Sequence, residues 1–303
     1  MRYVTPIALL AAVFCGIGWP AAGDSLPAPP ARGAYDERTI LFIGNSFTFA
    51  APGEVWRYRA DTVADLNGHG VGGIPALFKR FAEQTGLSYR VAIEAEGGKT
   101  LGFHYEQRRD RFDARWDHIV MQEFSTLDPD HPGDPGRFAA ATARLTALFR
   151  SRNPRSDIRL VATWSRPDLV YRDPSPWHGR PIGAMAADLD RSYRAVAARV
   201  PGVRAVVPVG LAFDRAITEG IADADPFDGI SPGTIDLWAP DSYHGSRYGY
   251  YLEALMVFGS VTGLNPEQLG AGERAASDLG IAPATAAALQ RVAARELRLT
   301  PAR

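Results

Sequence analysis

Thr39-Ile-Leu-Phe-Ile-Gly44-Asn45-Ser46-Phe47-Thr48 is an apolar run that stops abruptly at a glycine, a short polar residue and a serine. A short continuous apolar run bounded by turn formers is the pattern of a strand buried on both faces. Ser46 is therefore expected on the turn that ends this strand. Near the other end of the chain, Asp241-Ser-Tyr-His244 supplies a carboxylate and an imidazole three residues apart, just before a helical pattern. Together the two stretches suggest Ser-His-Asp hydrolase chemistry.

Outward from the first strand, Pro52 to Gly73 is polar and glycine-rich without a sustained period and reads as a loop. Ile74, Leu77, Phe78 and Phe81 then mark one face of an amphipathic helix. Tyr89 to Ala95, His118 to Met121, Ile158 to Thr163 and Ala205 to Val209 predict four further strands. Phe138, Ala141, Leu145, Leu148 and Phe149 predict a helix before the fourth strand, and Met185, Leu189, Tyr193 and Val196 one before the fifth. Tyr248, Leu252, Leu255 and Met256 predict a helix after His244, and Leu289, Val292 and Leu297 a last one. Short apolar strands alternating with helices imply a parallel sheet covered on both faces, because parallel strands need crossover connections. The expected fold is α/β: a three-layer α/β/α sandwich with a central, mainly parallel five-stranded sheet. Ligands of such sheets bind outside the carboxyl ends of the strands. Ser46, Gly97-Gly98 and Gln122-Glu123 are all expected there.

The 303 residues are 46% hydrophobic and 10% aromatic, enough for a substantial core. No internal boundary stands out, so residues 38–303 are expected to form a single domain. A formal charge of −1 gives no footprint for nucleic acid or an anionic membrane. At the N-terminus, Arg2, the mostly apolar run Pro6 to Trp19, and Ala21-Ala22-Gly23 have the order of a secretion signal over residues 1–23. That run is short for a membrane span of about 20 residues. The expectation is a cleaved signal, a secreted or periplasmic protein, and no integral membrane span after cleavage. The single cysteine, Cys15, lies inside the signal, leaving no disulfide and no cysteine ligand in the mature chain. Residues 24–37, rich in Pro and Ala, read as a flexible lead-in.

A serine hydroxyl is a weak nucleophile at neutral pH and needs a base within hydrogen-bond reach, itself oriented by a third group. Ser46, His244 and Asp241 can fill these roles. The oxyanion of a tetrahedral intermediate also needs donors. The candidates are the Ser46 N–H, the Gly98 N–H and the Gln122 side-chain amide.

These motifs resemble those of the SGNH/GDSL hydrolase superfamily, whose four blocks carry serine, glycine, asparagine and histidine in that order. Gly44-Asn45-Ser46 resembles the first block, with Asn45 where aspartate is usual. Gly98 in Gly97-Gly98-Lys99-Thr100 matches the Gly-x-Thr of the second, and Asp241-x-x-His244 matches the last. The third block departs: Gln122-Glu123-Phe-Ser125 stands where Gly-x-Asn-Asp is usual, as in a branch that pairs Gly-Asn-Ser-Phe-Thr with Gln-Glu-x-Ser. The similarity runs from about Thr39 to Gly263. It implies a flavodoxin-like fold and an extracytoplasmic esterase or deacylase that forms an acyl-enzyme. It further implies no cofactor, no metal, and a small-molecule, glycan or lipid ester as substrate.

Several residues keep two readings. Gln122 is an oxyanion donor or an amide that pins the adjacent loop, and Glu123 is structural, buried and paired. Trp164-Ser-Arg166 follows the fourth strand and either lines the substrate pocket or is a loop aromatic with a solvated arginine. His69, His104, His118, His131 and His178 are expected in structural or surface roles. Asp223 to Gly229 is acidic, but Phe227 occupies a position a calcium ligand would need. Trp56, Arg57 and Tyr58 suggest a lid or substrate wall. One rival function is a non-catalytic binding protein recognising glycans through Trp56, Trp164 or Trp238. A second, a nucleotide binder, lacks the Gly-rich, Lys-containing phosphate loop.

Overall fold

The computed structural model describes Met1 and residues 37–299. The expected signal and lead-in otherwise lie outside the described residues. Strands β1 (Arg38–Gly44), β2 (Ala64–Asp65), β3 (Tyr89–Ala95), β4 (His118–Met121), β5 (Asp157–Ala162) and β6 (Val203–Pro208) form one sheet. The order is β2-β3-β1-β4-β5-β6 and every pairing is parallel. Six strands replace the expected five, because two residues of the Pro52 to Gly73 loop pair with the edge strand β3. Without that short addition the order is the flavodoxin-like 2-1-3-4-5.

β1 lies in the middle of the sheet, and Ile40, Leu41, Phe42 and Ile43 are all almost wholly buried. Side chains alternate across a strand, so Ile40 and Phe42 join one core and Leu41 and Ile43 the other. The first core lies under α1 (Gly73–Gln84), α5 (Val209–Thr218), α6 (Arg247–Thr262), α7 (Arg274–Asp278) and α8 (Pro283–Glu296). The second lies under α3 (Gly136–Arg152) and α4 (Gly183–Arg199), with the one-turn α2 (Leu101–Phe103) at its margin. The predicted sandwich is thus present. Each fully buried Ile, Leu or Phe of β1 contributes about 1.5–3 kcal/mol, so this strand holds both layers to the sheet.

Helix α6 is apolar nearly all round, as a helix enclosed by others should be. The hydroxyl of Ser246 caps it, accepting from the N–H groups of Tyr248 at 3.1 Å and Gly249 at 3.4 Å. Helix α5 was not among the expected elements. It begins directly where β6 ends: Pro208 closes the strand, and Val209, expected as the last residue of the strand, is the first of the helix. Among the described residues, no helix is long and apolar enough to cross a membrane.

Candidate active site

Parallel register brings the strand ends level: Gly44 pairs with Ala95 and Ile43 with Met121. The loops after β1, β3 and β4 therefore leave the sheet side by side, where the strand order reverses. Ser46 sits on the turn after β1 and is partly exposed. Phe49 N–H donates to the Asn45 carbonyl at 3.1 Å, and Ala51 N–H to that of Ser46 at 3.0 Å. The glycine before it is obligatory: a Cβ on Gly44 would stand 2.1 Å from Thr48 Oγ1 and 2.7 Å from Gln122 Oε1.

Asn45 joins the three loops. Its Nδ2 donates to the Lys99 carbonyl at 3.1 Å and, at 3.5 Å, to that of Glu123, while its Oδ1 accepts from Phe47 N–H at 3.3 Å. An aspartate would turn carboxylate oxygens toward two carbonyl oxygens, so the amide is the chemically matched choice here. Gln122 is withheld from solvent, only 1% exposed. Its Oε1 accepts from Asn45 N–H at 3.2 Å and from the Thr48 hydroxyl at 2.9 Å, and its Nε2 donates to the Glu123 carbonyl. The oxyanion-donor expectation for Gln122 is corrected on that ground: the amide pins the serine turn from below.

Glu123 is 1% exposed and accepts from Leu101 N–H at 3.1 Å and Phe124 N–H at 2.7 Å. Burial pushes its carboxyl up to about 8 against those hydrogen bonds. It anchors the start of α2, and so the end of the turn that carries Gly98. Gly98 itself has φ +69°, a left-handed conformation that glycine adopts freely. Neither the Ser46 N–H nor the Gly98 N–H has a protein acceptor among the described residues.

The Asp241–His244 loop approaches from the other side. His244 Nε2 lies 2.9 Å from Ser46 Oγ, and His244 Nδ1 lies 2.7 Å from Asp241 Oδ2. Asp241 Oδ1 also accepts from the N–H groups of His244 at 2.9 Å and Tyr243 at 3.0 Å. Burial raises the Asp241 carboxyl, but the hydrogen bonds from His244 and the two backbone groups outweigh it and hold it below the usual range. The loop is closed by Ala239 N–H donating to the His244 carbonyl at 2.7 Å.

Trp164 and Arg166 support this loop. Trp164 is fully buried, stacked on Phe213 with ring centroids 4.9 Å apart, and donates its Nε1–H to the Tyr243 carbonyl at 3.1 Å. It lines no substrate pocket, which corrects that reading. The Arg166 guanidinium lies 3.8 Å over the Tyr243 ring, and that ring packs on His244 with centroids 4.1 Å apart. Asp168 and Ser125 hold the guanidinium, with bonds of 3.1 Å and 3.2 Å. Sequence reading missed the part played by Tyr243, and its position beside His244 was the only available signal.

The expected lid is packed down instead. Tyr58 donates to Asp278 at 2.7 Å and Trp56 sits against Phe49. Trp238, like Trp164, is buried, its Nε1–H donating to the Ser165 carbonyl at 3.0 Å. His104 is wholly buried against the Glu94 carboxylate.

No protein-family model matches the chain, and neither does any curated protein. Solved structures do match. A DUF4886 family protein from Bacteroides uniformis aligns with a TM-score of 0.59 at 19% identity, over 87% of this chain and 95% of that one. A putative GDSL-like lipase from Parabacteroides merdae aligns at 0.53 and 18% identity, over 75% and 96%. The fold is of the SGNH type. LAE5, an α/β hydrolase enzyme from the metagenome of Lake Arreo, Spain, aligns at 0.50 and 20% identity, over 75% and 95%. In this fold Ser46 follows the first strand, Gly98 follows its edge-side neighbour, and His244 lies in the loop before a buried helix.

Proposed function

We propose that the protein is an extracytoplasmic serine ester hydrolase, an esterase or deacylase, working through Ser46, His244 and Asp241 by way of an acyl-enzyme. The observation that carries this reading is the unbroken line of hydrogen bonds from Asp241 through His244 to Ser46 Oγ, at the edge where such sheets bind ligands. Asp241 holds the Nδ1–H, which leaves Nε2 free to accept the serine proton. Ser46 Oγ attacks the ester carbonyl as His244 takes its proton. The N–H groups of Ser46 and Gly98 receive the oxyanion. His244 then protonates the departing alcohol, and water, activated by the same imidazole, cleaves the acyl-enzyme to release the acid. No cofactor or metal enters these steps.

The neighbours described as a putative GDSL-like lipase and an α/β hydrolase enzyme are consistent with ester hydrolysis here. An acetylated sugar is a substrate whose hydroxyls would meet the polar groups beside the Gly98 turn. A cavity of about 510 Å³ there mixes Thr100, Glu106, Gln107 and Arg144 with Phe103 and Ala140. The signal sequence read over residues 1–23 supports export.

A fluorophosphonate probe tests the reading. The purified protein is expected to label at Ser46, and Ser46→Ala and His244→Ala are expected to lose the label and about 10⁴-fold or more of turnover on a small acetyl ester. A folded parent protein that fails to label would sink the proposal. One observation favours a second reading, a non-catalytic ligand-binding protein on the same fold: the buried Gln122 leaves the oxyanion only two backbone donors. Of that reading's three tryptophans only Trp56 keeps an accessible face, since Trp164 and Trp238 are both buried.

A further inference from the structure

A second concave site lies at the opposite edge of the sheet, roughly 20 Å away along β1 at about 3.3 Å per residue. Arg38 opens β1, His118 opens β4, Asp157 opens β5 and Val203 opens β6, and all four line a cavity of about 1010 Å³. That volume is at the upper end of the usual ligand-site range of about 300–1,000 Å³. Five arginines line it: Arg38, Arg115, Arg150, Arg155 and Arg204. In a chain of net charge −1, such a concentration of guanidinium groups is a local excess.

The three carboxylates in the cavity offset only part of that excess: Asp157 and Glu37 are shared with Arg159 and Arg90, outside the five, and Asp117 faces Arg115. Asp117 accepts from the Thr39 N–H and hydroxyl, both at 2.9 Å. Asp157 pairs with Arg159 at 2.8 Å and Arg204 at 3.2 Å, and Glu37 with Arg90 at 3.6 Å. Among the described residues, Arg38, Arg115, Arg150 and Arg155 form no ion pair. All four are exposed. Converging guanidinium groups repel one another until an anion is placed between them, and their planar forks match carboxylate and phosphate oxygens two at a time.

We infer that this cavity is a binding site for an acidic oligosaccharide, one bearing carboxylate or phosphate groups. The lining favours this over nucleic acid, since no Phe, Tyr or Trp is present on which a base could stack. Four uncommitted arginines in so large a cavity fit several anionic groups on one ligand better than a single small anion. The site is independent of the ester chemistry and would hold a polymer while the other edge of the sheet works on it.

Calorimetric titration of the purified protein with an oligogalacturonate and with a phosphorylated oligosaccharide separates the two anion sources, and a single-stranded oligonucleotide serves as the third arm. The expected result is saturable binding of at least one glycan that weakens steeply from 50 to 200 mM salt. The double variant Arg115→Gln/Arg155→Gln is expected to bind about tenfold or more weakly while hydrolysing a small acetyl ester as the parent does. Arg38→Gln/Arg150→Gln repeats the test should the first pair fail to fold. Variants that bind as tightly as the parent, no binding of either glycan, or tighter binding of the oligonucleotide would each overturn the inference.

Discussion

The two segments that meet at Ser46 Oγ are held in place by different physics. The turn bearing the serine is fixed from beneath by buried hydrogen bonds: Gln122 to Asn45 and Thr48, and Asn45 to the neighbouring loops. The loop bearing the histidine is more open, with the Asp241 side chain 39% exposed. Aromatic faces hold it, with Arg166 over Tyr243, Tyr243 against His244, and Trp164 bonded to the Tyr243 carbonyl. Hydrogen bonds fix direction sharply, whereas stacked rings tolerate small sliding. The contrast suggests a nucleophile locked to the sheet and a base that can adjust as the reaction moves charge onto it.

Four measurements would break or sharpen that contrast. The largest effect is expected at Asp241→Asn, which leaves the loop closed but favours the wrong imidazole tautomer. Turnover should fall about 10³-fold or more, with melting temperature little changed. A mild loss would mean that the ring stack alone orients His244. Next is Gln122→Ala, which strands the buried Asn45 N–H and Thr48 hydroxyl and should cost about 1–3 kcal/mol of stability. An unchanged denaturant midpoint would remove Gln122 from the anchor.

Arg166→Ala should act on the other side of the contrast. Losing a partly buried cation–π contact of about 0.5–2 kcal/mol is expected to lower kcat roughly tenfold while KM holds and the protein stays folded at assay temperature, with Arg166→Lys restoring part of it. A change confined to KM would make Arg166 a substrate contact instead. The last measurement reads pH dependence, at Glu123, whose carboxyl is raised from 4.5 to about 8 by burial. The folded state then holds a proton that the unfolded chain releases, so stability should decline as pH rises from about 4.5 to about 8 and level off beyond. Glu123→Gln should flatten that decline, read by denaturation at several pH values. An unaltered slope would place the titrating group elsewhere.

How much of this was legible in the sequence depended on whether a feature writes itself into local pattern. β1 was legible because a strand buried on both faces must be apolar throughout, and Ser46 because the run ends at Gly44. His244 and Asp241 were legible from their spacing. Helix α5 was not, since it follows β6 with no loop between them and its apolar start reads as more of the strand, nor was β2, two residues whose only mark is their pairing with β3. Gln122 and Trp164 were given two readings because burial is a property of the assembled layers. A glutamine at a strand end has one spelling whether its amide faces solvent or the underside of a turn.

The cap of α6 carries a consequence for how such a site can be varied. Only Gly245 separates His244 from Ser246, whose hydroxyl starts a helix buried on nearly every side. A residue gained or lost between them would swing the imidazole away from Ser46 or rotate a helix that has no free space to turn. Diversification of substrate preference is thereby channelled away from the histidine loop and into the segment from Tyr105 to Arg111, irregular helical turns with mostly exposed side chains. A library built to change selectivity should place its insertions there and leave the tether from His244 to Ser246 at its present length.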